Sequence, residues 1–254
     1  MSEPILLKTT AELIQWRKTV KDKSVGFVPT MGALHQGHVS LLKESSSEND
    51  ISVLSIFVNP TQFNHAQDLA KYPRTWDEDL KLASAAGTAA IFFPTFEQMY
   101  PDNYNYSVHE NDFSLMLCGT SRIGHFQGVL TIVLKLINLV QPKRLYLGEK
   151  DHQQLHLIKK MVDALFLPTE IVGCPTVRDS LGLALSSRNA RLTEEERSHS
   201  SLIYKTITTA NSAFDAKVIL EKAGFKIDYL VDVENRRYVA AFVGDVRLID
   251  NVEL

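Results

Sequence analysis

Val25-Gly26-Phe27-Val28-Pro29-Thr30-Met31-Gly32-Ala33-Leu34-His35-Gln36-Gly37-His38-Val39-Ser40-Leu41-Leu42 is the stretch that decides the fold. Val25 to Val28 is a short apolar run of the kind found in a buried strand. Pro29 is expected to end it, because proline gives no N–H to a sheet ladder. Gly32 and Gly37 allow a tight turn and a close approach to a ligand. His35 and His38 bracket Gly37 where a helix should start, followed by Val39, Leu41 and Leu42. A strand, a glycine turn and a helix N-terminus form a ready anion site, since free N–H groups and the positive end of the helix dipole point at one place. Two imidazoles there can donate to phosphate oxygens, or they can cap and pack the turn. A zinc site would lack both neighbouring cysteines and a clear third ligand.

Outward from this stretch the pattern repeats. Ile51 to Val58 is a nearly continuous apolar and β-branched run, as in a parallel strand buried on both faces. It stops at Asn59-Pro60-Thr61-Gln62-Phe63. Ala89 to Phe93, Arg144 to Leu147 and Thr169 to Cys174 read as further strands. Helices are expected at 9–22, from the turn to about Glu48, from Thr75-Trp76-Asp77-Glu78 (a capping box) to about Ala86, from Gln127 to Val140, and from 152 to about Leu165. Residues 100–122 read as irregular, with strand-like pieces from Tyr104 to His109. Strands alternating with helices imply right-handed crossovers and a doubly wound parallel sheet, with ligands beyond the carboxyl ends of the strands.

After the capping box Thr193-Glu194-Glu195-Glu196, a long helix is expected to reach about Ala213. Ile227 to Val233, Tyr238 to Val243 and Arg247-Leu248-Ile249 then read as strands of a small α+β lobe, expected to act as a lid. The division is therefore an α/β domain over 1–190 and a lobe over 191–254.

Composition narrows the function. The chain has 254 residues, 44% hydrophobic and 22% charged, which suits a globular domain with a sizeable core. A formal charge of −3 without a basic run gives no footprint for nucleic acid. Met1-Ser2-Glu3-Pro4-Ile5 lacks the charged start and apolar run of a signal peptide, and Leu130 to Val140 is too short to span a bilayer. Cys118 and Cys174 lack metal-ligand spacing, and reduced structural thiols suit a cytoplasmic location.

Three further clusters carry chemistry. Gly148-Glu149-Lys150-Asp151 puts a cation at a strand end, where Lys150 can neutralise phosphate and Asp151 can cap the helix or hold a ribose hydroxyl. A solvated turn explains it equally well. Gln62 and Gln154 together offer amides for hydroxyl groups, although a glutamine in a first helical turn, like Gln153, is usually exposed. Leu185-Ser186-Ser187-Arg188-Asn189 offers two hydroxyls and a guanidinium suited to a triphosphate, or simply a polar loop.

The segments Val28 to His38, Phe57 to Phe63, Tyr72-Pro73-Arg74-Thr75, Gly148 to Gln154 and Leu185 to Asn189, in this order and spacing, closely resemble the pantothenate synthetase (pantoate–β-alanine ligase) family. Arg247-Leu248-Ile249-Asp250-Asn251 resembles that family's C-terminal ending. The resemblance implies a Rossmann-like domain with a small C-terminal lobe, a cytoplasmic homodimer, and ATP with Mg2+. It also implies two steps: pantoate attacks the α-phosphate of ATP to give pantoyl adenylate, and β-alanine then displaces AMP. By the same match, Met31, Gly32, Ala33, Leu34, His35, Gln36, Gly37, His38, Gly148, Glu149, Lys150, Asp151, Val177, Leu185, Ser186, Ser187 and Arg188 meet ATP. His38, His35, Lys150 and Arg188 carry the catalytic charge stabilisation. Gln62 and Gln154 meet pantoate, Gln62 also touches β-alanine, and Glu78 or Asp79 reaches the metal, with the helix cap as their competing role. A related nucleotidyltransferase or an ATP-binding regulator without catalysis is the rival reading. The chain departs from the family pattern at Ile123 (proline), Gln127 (charged) and Leu181 (aspartate), and its lobe reads as about two dozen residues short around Phe214 to Lys222.

Overall fold

A computed structural model describes residues 3–254; Met1 and Ser2 of the N-terminal stretch read above lie outside them. The chain forms two compact units, residues 1–148 with 153–174, and residues 149–152 with 175–254. Residues 175–190 thus group with the C-terminal strands.

The first unit contains β1 (Ile5–Leu7), α1 (Thr10–Thr19), β2 (Val25–Thr30), α2 (Gln36–Glu48), β3 (Ile51–Ile56), α3 (Ala66–Ala70), α4 (Trp76–Ala85), β4 (Ala90–Phe92), α5 (Phe96–Met99), α6 (Cys118–Ser121), α7 (His125–Val140), β5 (Arg144–Gly148), α8 (His152–Ala164) and β6 (Glu170–Cys174). The strands make one sheet in the order β1-β4-β3-β2-β5-β6, parallel throughout. The order reverses between β2 and β5, so the switch point lies where these two strands end. Val28, Leu42, Leu54, Ile91 and Tyr146 are fully buried in one core cluster, consistent with strands covered on both faces.

Four expectations need correction. β1 reads as no strand in the sequence: three residues, two of them largely exposed, are too few for a pattern, and pairing with β4 alone defines it. Pro29 does not end β2, which continues to Thr30 opposite Ile56. The carbonyl of Val25 accepts from Lys143 on the β5 side and that of Thr30 from Phe57 on the β3 side. By alternation Pro29 faces β5, whose paired register with β2 covers only Gly26 and Phe27, so the missing N–H removes no ladder bond. Residues 105–110 form no strand. Side chains take their N–H groups instead, Asp102 accepting from Tyr106 and Thr131 from Val108. The box at Thr75 does not close, because its hydroxyl donates 3.0 Å to Asp79 rather than capping a backbone N–H. The boxes at Thr9 and Thr193 do close.

The second unit has α9 (Glu194–Thr209), α10 (Ala213–Lys222), β7 (Lys226–Val233), β8 (Arg236–Val243) and β9 (Val246–Glu253). α9 stops four residues before Ala213, where a separate helix begins with Ser212 as its cap. The three strands form an antiparallel meander. Both hairpins turn in two residues, Glu234-Asn235 and Gly244-Asp245, each with a positive φ at the first position, which matches strand twist. Ile207, Ala216, Leu220, Val239 and Ala241 fill the core of this unit.

Candidate active site

The histidine turn is built from its backbone. Past Thr30, Gly32 takes φ +79° and Ala33 +51°, which aims two successive N–H groups the same way. Asp79 of α4 meets both, accepting from Ala33 at 2.9 Å and Leu34 at 2.7 Å. With the Thr75 hydroxyl, this carboxylate has three donors and is 2% exposed. The φ favours glycine at this position, and a Cβ on Gly32 would also make a tight 3.0 Å contact with the Asp79 Oδ2.

His35 caps α2. Its Nδ1 accepts from the Gly37 N–H at 3.2 Å, and the Nδ1 of His38 accepts from the His35 N–H at 3.3 Å. The rings lie 4.0 Å apart and tilted. A neutral imidazole has one N–H, and with Nδ1 accepting, that proton must sit on Nε2. Both rings therefore carry their donor on Nε2, at a helix start with no acidic residue in its first turn. Capping and donation are two uses of the same rings, and the first fixes the tautomer for the second.

Gln62 ends the short turn Pro60–Gln62 after β3. Its Nε2 lies 3.3 Å from the sulfur of Met31, which brings it to the histidine turn, and its Oε1 accepts from Asn59 at 3.0 Å. Asn59 is buried, bonded also to the Gly128 carbonyl and to Tyr100. Burial pushes the Tyr100 hydroxyl up to about 12, against the pull of its bonds to Thr61 and Asn59. The Gln62 carbonyl accepts from His125 Nδ1 at 2.8 Å, and the Nε2 of that ring then accepts from Arg122 at 3.0 Å. A Cβ on Gly128 would come within 2.5 Å of the Thr61 carbonyl, so α7 presses directly on this turn. Sequence reading passed over Asn59, Tyr100 and His125. The available signal was an asparagine at a strand end before proline.

Gln154 is half-buried on α8. Its neighbour Gln153 is buried, not exposed as its place in the helix suggested: it accepts from the Cys118 N–H and donates to the Phe113 and Met116 carbonyls. Of the two acids raised for a metal, Asp79 is committed to the turn and Glu78 is exposed. The described residues include no cluster of three His, Cys, Asp or Glu able to hold a metal ion. Ile123 is 85% exposed, while Gln127 donates to the Ser107 hydroxyl.

The remaining candidates belong to the second unit. Glu149–Asp151 form a 3-10 turn, with Lys150 Nζ 3.7 Å from Asp151. Val177 accepts from the Leu185 N–H, and Ser186 caps the turn Ser187–Arg191 by accepting from Arg188 N–H at 3.2 Å. Leu181 is exposed and donates its N–H to Asp179, which also takes Leu183 N–H and the Arg197 guanidinium. The loop is thus fastened by Asp179, and the leucine replaces no bond on which it depends.

A family model described as pantoate-beta-alanine ligase matches residues 5–253. The chain is 54% identical to a pantothenate synthetase of Bdellovibrio bacteriovorus, over 98% of this chain and 99% of the relative. It is 46% identical to one of Coxiella burnetii over 97% of each. Its fold matches a pantoate-beta-alanine ligase of Francisella tularensis, crystallised with beta-gamma ATP and beta-alanine, at TM-score 0.93 and 39% identity, covering 98% and 97% of the two chains. A pantothenate synthetase of Thermus thermophilus matches at TM-score 0.89 and 40% identity, covering 98% and 99%. The alignments extend over nearly the whole length of these relatives, C-terminal lobe included. The chain belongs to the pantoate–β-alanine ligase family.

Proposed function

We propose that the chain condenses pantoate with β-alanine at the expense of ATP, through pantoyl adenylate. The observation that carries this reading is the pair of Nε2 donors at an acid-free helix start, a surface made for phosphate oxygens. In the first step a pantoate carboxylate oxygen bonds to the α-phosphorus and the bond to the bridging oxygen of pyrophosphate breaks. The carboxylate is already deprotonated at neutral pH, so no general base is needed. Both reactants are anions, and the work of the site is to hold them together and neutralise charge.

His38 donates to the triphosphate as charge builds, with His35 beside it. Met31 to Gly37 supply the surrounding backbone. Lys150 and Arg188 hold phosphates and Ser186 and Ser187 donate to them, while Gly148, Glu149, Asp151, Val177 and Leu185 line the nucleotide. Gln62 and Gln154 take the pantoate hydroxyls and carboxylate, and Gln62 also meets β-alanine. Asn59 supports this by holding the Gln62 Oε1, which leaves the Nε2, beside the Met31 sulfur, as the donor. In the second step the neutral amine of β-alanine attacks the acyl carbon, AMP leaves, and the nitrogen loses its proton to give the amide.

Magnesium would arrive with the nucleotide, held by phosphate oxygens and water, with the exposed Glu78 as the carboxylate of this chain offered to it. Bound there, it would offset triphosphate charge. No helix among the described residues is long and apolar enough to cross a membrane, and the proposal includes a cytoplasmic homodimer. Incubation with ATP, magnesium, pantoate and β-alanine should give pantothenate, AMP and pyrophosphate in equal amounts. ADP and phosphate, or no amide, would contradict the reading. Sedimentation at twice the monomer mass would support the dimer.

A further inference from the structure

The motif Arg247-Leu248-Ile249-Asp250-Asn251 takes no part in the chemistry above, yet two of its polar residues are buried, Asp250 at 6% and Asn251 at 5% exposure. It lies in β9, where the structure commits two buried polar side chains to the backbone and side chains of other segments. Each bond has a direction that only the residue present can supply.

Asp250 accepts from both terminal nitrogens of Arg178, at 2.5 and 2.8 Å, and from the Asn251 N–H at 2.8 Å. Arg178 donates further to the Gly182 carbonyl at 3.1 Å, and its guanidinium lies 3.6 Å over the ring of Tyr204. Arg178 also bridges to Ala184, two residues before Ser186. Asp250 therefore fixes the base of the loop that ends in Ser186-Ser187-Arg188. Asn251 acts on another segment. Its Nδ2 donates to the carbonyls of Glu149 at 2.9 Å and Lys150 at 3.0 Å, while its Oδ1 accepts from Arg236 at 2.6 Å. Both amide protons are directed at carbonyls, and the amide oxygen at a cation. An aspartate would put lone pairs where two protons are needed.

We infer that Asn251 is a positioning residue for ATP: by holding the carbonyls of Glu149 and Lys150, next to the Asp250 that anchors the Arg178 loop, it sets Lys150 in register with Ser186–Arg188. The inference rests on the reading that Lys150 and Arg188 hold phosphates. Contacts to one triphosphate from two loops tolerate little error, since a 1 Å misplacement far from the chemistry can cost about a hundredfold. Adjacent residues of one strand are a direct way to limit that error.

The test is ATP and pantoate binding by calorimetry, with melting temperature, for wild type, Asn251→Asp, Asn251→Ser, Lys150→Met and the double variant Lys150→Met/Asn251→Ser. The Ser variant removes the donors without adding charge, and it carries the test if the Asp variant does not fold. Expected are a loss of ATP affinity of about tenfold or more in the Asn251 variants, an unchanged pantoate affinity, and a lower melting temperature from the buried bonds that are lost. The serine change should have little further effect once Lys150 is gone, because the two act through one contact. A lower melting temperature with unchanged ATP affinity would overturn the inference and leave Asn251 a stabilising residue only. Equal loss for pantoate, or full additivity with Lys150→Met, would also overturn it. Wild type that binds no ATP would sink the functional reading itself, and the inference with it.

Discussion

The histidine turn after β2 and the bracket on β9 solve the same problem in opposite ways. Each holds backbone at a segment proposed to meet a polyanion. In the turn, the stabilising bonds are short in sequence: His35 to Gly37, His38 to His35. Asp79, some 45 residues on, and Gln62 come from elsewhere. On β9 the bonds to the two loops are long, 72 residues for Arg178–Asp250 and 102 for Asn251–Glu149. The turn can therefore form its cap as soon as its helix forms. The bracket exists only when the second unit is complete. Local geometry gives the turn its chemistry, and tertiary closure gives the two other loops theirs.

His38→Ala is the largest expected break in the turn. On the proposed role of its ring donor at the reacting phosphates, turnover should fall by about a hundredfold to a thousandfold, the range for one lost charge-stabilising donor. Pantoate affinity and melting temperature should hold. Unfolding on this change would return His38 to a packing role.

Asp79→Ala should instead strike stability. It leaves the Ala33 and Leu34 N–H groups buried without an acceptor, at a cost of about 1–3 kcal/mol for each such group. For a chain of this size a loss of about 3 kcal/mol lowers the melting temperature by roughly 6–12 °C. A stable Asp79→Ala protein that needed more magnesium would assign the carboxylate to the metal instead.

Gly148→Ala sharpens the contrast from the other side. A Cβ there meets none of the described atoms within 4 Å, and φ is not positive. Stability should change by no more than about 0.5 kcal/mol, whereas ATP affinity should fall if the nucleotide passes over this residue. Unchanged ATP affinity would remove Gly148 from the site.

The smallest effect concerns Tyr100 behind Gln62. Its folded-state value of about 12 lies above the ordinary value near 10, because burial disfavours the phenolate. The stability it confers is fully present below about pH 10 and is lost as pH rises through about 12. Urea melts at increasing alkaline pH should show this loss, and Tyr100→Phe should flatten it.

What could be read from the chain follows the same division. Apolar runs disclosed β2, β3 and β5, and the box at Thr193 disclosed its helix, because these signals act over a few residues. β1 is too short to carry a pattern and exists through β4. Thr75-Trp76-Asp77-Glu78 has the letters of a capping box, but the buried carboxylate one turn on competes for the hydroxyl and wins. Pro29 obeys the rule about ladders and still lies in a strand, because the side it faces has no partner to lose. At the site, the histidines and Gln62 were legible as chemistry. Asp79 read as a metal ligand or helix cap, since a sequence does not show which buried N–H groups await an acceptor. Asn59, His125, Asp250 and Asn251 act on backbone carbonyls or on side chains that only the fold brings to them.

The most direct test of an adenylate-forming site is exchange of labelled pyrophosphate into ATP by wild type, with magnesium and without β-alanine. Exchange that depends on pantoate is the predicted result, since the adenylate forms reversibly before the amine is needed. Exchange without pantoate, or none while ATP and pantoate both bind, would contradict it.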